Sequence, residues 1–256
     1  MSMNVLDELK NFYNKFSGEK GYIGSTEQGK LIPYFIVQKT FKPKVLIQYA
    51  IHAREYVTTY LAMKQIKDFD RFGTIGTVYF IPAVNIDGIE IALTQKPLYK
   101  ANARGVDLNV NFDARWGTGE QNKNVKGDQN YIGEHPFSER ESRNLRDFTL
   151  AVLPDATISY HCKGEEIYYE FYQYGKALIR DKKIAMAVAQ ETGYSIKPTP
   201  YSSGGYKDWC IEKLKIPALT IEVGEDSLSH PLTKENLGKI YCKNKGVVSA
   251  IMRELT

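Results

Sequence analysis

Two side chains that bind borderline metal ions stand three positions apart in His52-Ala53-Arg54-Glu55. The imidazole and carboxylate sit where an apolar run gives way to a helix-like pattern, so both can turn toward one point. A divalent zinc-type ion takes such nitrogen and oxygen donors, and a catalytic centre needs a third ligand plus one open position. The chain has four histidines, so the remaining candidates are His135, His161 and His230. His135 and His230 each precede a proline in polar surroundings and read as loop residues. His161 instead closes the strand-like run Ala156-Thr-Ile-Ser-Tyr160. In open α/β sheets functional groups gather beyond the carboxyl ends of strands, which places His52 and His161 along one edge. Glu222 lies near the end of the apolar run Ile216–Gly224. An ionised carboxylate there is costly unless it is paired or near a cation. It therefore either forms an ion pair with Lys213 or Lys215, or works beside a metal as a general base.

The elements that must position these residues follow from periodicity. Strands are expected over Leu31–Gln38, Lys44–Ile51, Thr77–Ala83, Ala156–His161, Glu165–Phe171 and around Glu222. Helices are expected over Val5–Lys15, Tyr56–Phe69, Ser138–Leu153, Lys176–Thr192, Tyr206–Lys213 and Lys234–Arg253. Ser138-Glu-Arg-Glu141 reads as a capping box opening its helix. Between about Ile89 and Gly133 the chain is rich in Gly, Asn and Asp and reads as one long irregular stretch, of the kind that is usually functional inside a domain. Alternating strands and helices predict an α/β fold: a single domain over residues 1–256, with a mixed, mostly parallel, twisted sheet and helices on both faces.

Composition narrows the function classes. At 256 residues the chain can bury a sizeable core, and no linker, repeat or low-complexity tract divides it. The net charge of +4 is spread out, without the basic, aromatic-interleaved patch of a nucleic-acid binder. Cys162, Cys210 and Cys242 form no even framework and no Cys-x-x-Cys, which fits a reducing compartment. With neither a signal-like start nor a run approaching ~20 apolar residues, the expectation is a cytoplasmic protein with no membrane span.

The motifs together resemble the zinc carboxypeptidase family (peptidase family M14) over nearly the whole chain. The matching blocks are His52-Ala-Arg-Glu55, Pro82-Ala-Val-Asn85-Ile-Asp87-Gly88, Gly105-Val-Asp107-Leu-Asn109-Val-Asn111-Phe112, Ser159-Tyr-His161, Gly205-Tyr-Lys-Asp208-Trp209 and Thr220-Ile-Glu222. The resemblance implies one zinc ion, ligated by His52, Glu55 and His161, with Glu222 as the catalytic glutamate. Within the family the chain is similar to bacterial γ-D-glutamyl-L-diamino acid endopeptidases, which cut peptidoglycan stem peptides. Lys100–Asn109, Tyr160–Tyr169 and Tyr206–Gly224 carry that likeness. It implies a peptide partner, a muropeptide, cut at the γ-D-glutamyl to diaminopimelate bond.

Departures from the family pattern set further expectations. Family carboxypeptidases carry Asn-Arg where this chain has Asn109-Val110, and that arginine grips the substrate's terminal carboxylate by a bidentate pair. Valine cannot, so the enzyme is expected to act as an endopeptidase or to use Arg104, Arg115 or Lys207 instead. The oxyanion-stabilising arginine of the family aligns with Lys100 through Tyr99, and Arg104 lies a turn away. Tyr201 is one residue out of register with the family's mobile tyrosine. Asn109 is expected to bind substrate and Asp107 to orient a ligand or loop. The alternatives are a metallocarboxypeptidase, a small-molecule N-acyl amino acid deacylase and an inactive binding module. The last would normally have lost a ligand or Glu222. Oligomeric state is not legible.

Overall fold

The strands of the computed structural model are β1 (Lys20–Ser25), β2 (Leu31–Gln38), β3 (Lys44–Tyr49), β4 (Thr77–Ile81), β5 (Ala156–His161), β6 (Glu166–Tyr168), β7 (Ser195–Ile196) and β8 (Ala218–Glu222). Residues 3–127, 129–199 and 201–256 are described. All eight strands join one sheet in the order β1-β2-β4-β3-β5-β8-β6-β7. Its centre, β4-β3-β5-β8, is parallel throughout, and β6 pairs with β7 in parallel. The pairs β1-β2, β2-β4 and β8-β6 are antiparallel. The sheet is therefore mixed and parallel where it matters for the site. β3 and β5 are buried nearly throughout, as expected of parallel strands covered on both faces.

Around the sheet lie α1 (Val5–Lys15), α2 (Val57–Phe72), α3 (Ile86–Thr94), α4 (Arg140–Val152), α5 (Gly175–Thr192), α6 (Tyr206–Trp209), α7 (Leu237–Asn244) and α8 (Val247–Glu254). On one face Tyr49 and Tyr160 stack at 5.0 Å between ring centres. The Tyr49 hydroxyl donates to Gln65 Oε1 of α2 at 2.6 Å, and Gln65 Nε2 donates to Tyr160 Oη at 3.0 Å. Side chains alternate across a strand, so Ser159 and His161 point to the opposite face. There α6 packs on β5 and β8, and Tyr206 shares a 2.9 Å hydroxyl contact with Thr149 of α4. Helices thus cover both faces. Among the described residues no helix is long and apolar enough to cross a membrane.

Several boundaries depart from the sequence expectation. β1 was not expected: Gly21 and Gly24 weaken its pattern, and its register with β2 slips between Tyr22 and Gly24. Pairing with β2, rather than local propensity, holds it. The irregular stretch begins later than expected, because Ile86–Thr94 is helical, with Asn85 Oδ1 accepting from Gly88 N at 3.0 Å. The capping box at Ser138 does not form. The helix starts at Arg140, the Ser138 hydroxyl donates to Glu139 Oε1 at 2.7 Å, and Glu141 is buried against Asn102. The closing helix is two helices, broken at Lys245-Gly246.

Candidate metal centre and substrate cavity

β3 and β5 run side by side with Tyr49 opposite Tyr160, so His52 and His161 emerge at neighbouring strand ends. After β3 the chain turns through Ala50, at φ +49°, into a 3-10 turn at Ala53–Glu55. That turn brings Glu55 back beside His52. Asn85 fixes the turn from below, its Nδ2 donating to Ile51 O at 3.1 Å and to Ala101 O at 3.0 Å. Ala53 N donates to Lys100 O at 3.0 Å. The Pro82–Gly88 block is thus the clamp that holds the His52 turn against the Lys100 loop.

Three donor side chains converge there. His52 Nδ1 lies 2.8 Å from Glu55 Oε1, His161 Nδ1 lies 3.1 Å from Glu55 Oε2, and the two Nδ1 atoms are 3.2 Å apart. Donors of a tetrahedral zinc centre, each about 2.0–2.1 Å from the ion, are spaced by about 3.3 Å. The group therefore has the donor types and nearly the spacing that zinc requires, and all three residues are buried. The electrostatics are those of a site built around positive charge. Burial alone would raise the Glu55 carboxyl, but His52 and then His161 hold it well below the usual range. Burial would lower His52, yet Glu55, assisted by Asp107 and opposed by Lys100, pushes it up to about 9. Burial lowers His161 despite Glu55.

The two imidazoles are supported differently. His52 Nε2 lies 3.1 Å from Asp107 Oδ1, an arrangement that leaves Nδ1 free to ligate. Lys100 Nζ sits 2.7 Å from Asp107 Oδ2 and donates to Asn130 Oδ1 at 2.6 Å. Burial would raise Asp107, but Lys100 and then His52 keep it ionised far below the usual range. His161 Nε2 is buried with no protein partner.

Glu222 closes β8 directly beside His161, its register partner. It makes no ion pair with Lys213, whose partners are Asp113 and Glu212. Among the described residues Lys215 does not pair with Glu222 either, so the reading of Glu222 as half of a salt bridge with Lys213 or Lys215 is set aside. Burial, then the Glu55 carboxylate, raises Glu222 to about 8 in the ion-free protein. It faces a cavity of about 470 Å³ with Lys100, Asn109, Val110, Tyr201, Lys207 and Thr220 on its walls. Alternate residues of the Gly105–Phe112 block serve different ends. Asp107 backs His52, Asn109 lines the cavity, and Asn111 pins the long loop by donating to Ile132 O at 2.9 Å. Gly204, at φ +78°, lies so close that a Cβ would meet Val110 O at 2.7 Å, so the Ser-Gly-Gly loop seals against Asn109-Val110.

Of the expected site residues, Arg104 and Arg115 lie elsewhere. Arg104 is drawn to the acidic group of Glu134 and Glu139, at 3.6 and 3.7 Å. Arg115 stacks on Tyr172 at 3.4 Å and pairs with Glu212 at 3.1 Å, beyond the cavity. Lys207 does line the cavity, but its Nζ is held by Asp208 Oδ1 at 2.5 Å and Glu170 O at 2.8 Å. Tyr201 is exposed at the rim, at φ +65°. Sequence reading missed Thr220, Tyr168 and His230. Thr220 was legible, two residues before Glu222 on the same face of β8. Tyr168 faces it across the β6-β8 pair, which local pattern could not reveal. His230, taken for a loop residue, lines a second cavity beside His52 and Glu55.

The model of the zinc carboxypeptidase family matches residues 3–241. The chain is 25% identical to γ-D-glutamyl-L-diamino acid endopeptidase 1 of Lysinibacillus sphaericus, over 98% of this chain and 70% of that protein. It is 26% identical to carboxypeptidase B of Rattus norvegicus, over 75% of this chain but only 54% of the relative. Among solved structures, bovine thrombin-activatable fibrinolysis inhibitor, bound to tick carboxypeptidase inhibitor, shares the fold with a TM-score of 0.85 at 20% identity, covering 100% of this chain and 97% of that one. Murein-tripeptide amidase MpaA from Escherichia coli O157 does so with a TM-score of 0.65 at 18% identity, covering 96% of each. With its fold, its motifs and the family match in agreement, the chain belongs to the zinc carboxypeptidase family of metallopeptidases.

Proposed function

We propose that this peptidase hydrolyses the γ-D-glutamyl to diaminopimelate bond of peptidoglycan stem peptides, acting as one catalytic domain with one zinc ion. The observation that carries the chemistry is the convergence of His52, Glu55 and His161 within about 3 Å, with Glu222 beside them on the cavity wall. An ion held there supplies Lewis acidity, lowering the pKa of a water and polarising the scissile carbonyl. Glu222 takes the proton of the attacking water and returns it to the leaving amine. Lys100 has two of its three N–H bonds committed, to Asp107 and Asn130, and the third serves the developing oxyanion. Asp107 keeps His52 in the tautomer that presents Nδ1. Asn109 binds the amine-side residue, and Tyr201 covers the rim.

The substrate class rests on the likeness to the Lysinibacillus endopeptidase and on Val110, which removes the arginine that reads a terminal carboxylate. Lys207 favours a second reading, a metallocarboxypeptidase, because it is a cation on the same wall. Asp208 already holds that cation, so the first reading is preferred. Incubation with purified muropeptides and mass analysis of the products tests the bond. Comparing kcat/KM on stem tripeptides with free and amidated carboxyl termini tests the mode. A fall of about a hundredfold or more on amidation, the size of a lost bidentate charge pair, would assign the carboxypeptidase reading.

A further inference from the structure

Behind the wall of the substrate cavity, beside the start of α5, lies a separate hollow of about 350 Å³. One ring divides the two. Phe171 meets Tyr172 at 5.0 Å between ring centres and lies 5.5 Å from the Nζ of Lys207, which lines the substrate cavity. Two tyrosines at the hollow are held outward by the residue between them. Gln173 turns inward, its Nε2 donating to Tyr169 O at 2.7 Å and to Asp181 Oδ2 at 3.2 Å, while its Oε1 accepts from Phe171 N. Tyr172, at φ +55°, is left 60% exposed and Tyr174 86% exposed. A left-handed backbone is costly for an aromatic residue and persists only where its surroundings impose it. Rings presented in this way from an anchored loop make a contact surface.

The polar groups of the hollow define the ligand. Arg115 stacks on Tyr172 at 3.4 Å and pairs with Glu212 at 3.1 Å, and Arg180 pairs with the buried Asp181 at 2.8 Å. Both guanidiniums are already matched by an acid, so no fork is left to clamp an anion. Glu212 offers an acceptor instead. Its Oε2 is buried with no hydrogen-bond partner among the described residues, the Lys213 ammonium standing 3.7 Å away. A buried acceptor left unmatched is costly, and a ligand donor recovers that cost. The ligand that fits has an apolar face to lie on a ring and O–H or N–H donors around its edge. A pyranose has that form, with C–H bonds on its face and hydroxyls on its rim. We propose that Tyr172, Tyr174 and Glu212 form a subsite for a neutral pyranose. The proposal rests on the peptidoglycan reading above, which makes the ligand a sugar of the glycan strands that carry the stem peptides. The subsite takes no part in the hydrolysis; it holds the enzyme to the polymer while the neighbouring cavity works on the peptides.

The test is an NMR titration of the zinc-loaded enzyme with tetra-N-acetylchitotetraose, a soluble chain of N-acetylglucosamine. Binding should be saturable, and Tyr174→Ala should weaken it by about fivefold or more, the worth of one aromatic contact. Tyr172→Ala should weaken it as well, but it also releases Arg115. Tyr174→Ala is therefore the deciding variant, since so exposed a side chain can be removed without disturbing the fold. On a free stem tripeptide the kcat/KM of Tyr174→Ala should match that of the unaltered enzyme. Absence of saturable binding, or an affinity that Tyr174→Ala leaves unchanged, overturns the subsite while cleavage of muropeptides upholds the reading beneath it. Sugar binding that depends on Tyr174, in an enzyme that cleaves no muropeptide, overturns the peptidoglycan reading and leaves the pyranose subsite standing.

Discussion

The proposed hydrolytic half of the site and the proposed substrate half are built from different material. His52, His161 and Glu222 sit at the ends of three adjacent parallel strands, β3, β5 and β8, whose ladders fix their spacing. The substrate half is assembled from a 3-10 turn and loops: Asn109-Val110, Asn130, Tyr201, Ser203 and Gly205. Strand ends are rigid because the sheet behind them is buried on both faces. The loops are held by individual contacts, such as the seal of Gly204 on Val110. Changes to the first half should abolish turnover on every substrate, and changes to the second should be graded and dependent on the substrate.

The largest effect is expected from Glu55→Ala. Losing the ligand removes several kcal/mol of transition-state stabilisation, on the order of a thousandfold or more in kcat. Elemental analysis should show the metal gone, and retention of both metal and rate would break the comparison. Lys207→Met comes next, as a stability effect. It strands Asp208, which is 2% exposed, and breaking a buried pair from one side costs about 3–5 kcal/mol. Denaturant titration should record that loss. Asp107→Ala should weaken zinc binding by about ten- to a hundredfold, the usual cost of removing a ligand's outer partner.

A smaller, graded effect concerns pH. In the ion-free protein His52 is held at about 9, mainly by Glu55 acting against burial. Its proton must leave before Nδ1 can ligate. Zinc affinity should therefore rise with pH between 7 and 9, with at least the His52 proton released per ion. Competition titrations at several pH values measure this, and a flat profile would show that His52 carries no such proton. The same raised pKa makes the ion-free fold lose stability as pH rises from about 6.5 to 9, because the native state binds the extra proton in that window. Arg104→Gln is expected to change kcat/KM least, by less than about threefold, since its partners Glu134 and Glu139 lie off the cavity.

The same division decided what was legible in the sequence. His52, Glu55, His161 and Glu222 could be read because each is a chemistry-bearing residue at the end of an apolar run, and parallel runs end at one edge. The strand β5 was visible as a continuous run buried on both faces, and the helices α1 and α5 because one buried face writes a period into the sequence. β1 was not, because only its pairing with β2 makes Gly21 and Gly24 tolerable in a strand. Lys100 and Arg104 were indistinguishable by type and spacing. What separates them is the carboxylate each one meets in the fold: Asp107, already beside His52, takes Lys100, and Glu139 takes Arg104. Arg115 failed for a like reason, being turned onto Tyr172. His230 was dismissed on its proline neighbour, although the loop after β8 folds back over the metal group.

The decisive measurement is kcat and bound zinc for Glu222→Gln on a muropeptide substrate. The glutamine keeps the shape of the side chain but cannot accept the proton. Zinc should stay bound near one per chain while kcat falls by about a hundredfold or more, as for a lost general base. Full zinc occupancy with undiminished hydrolysis would contradict the mechanism.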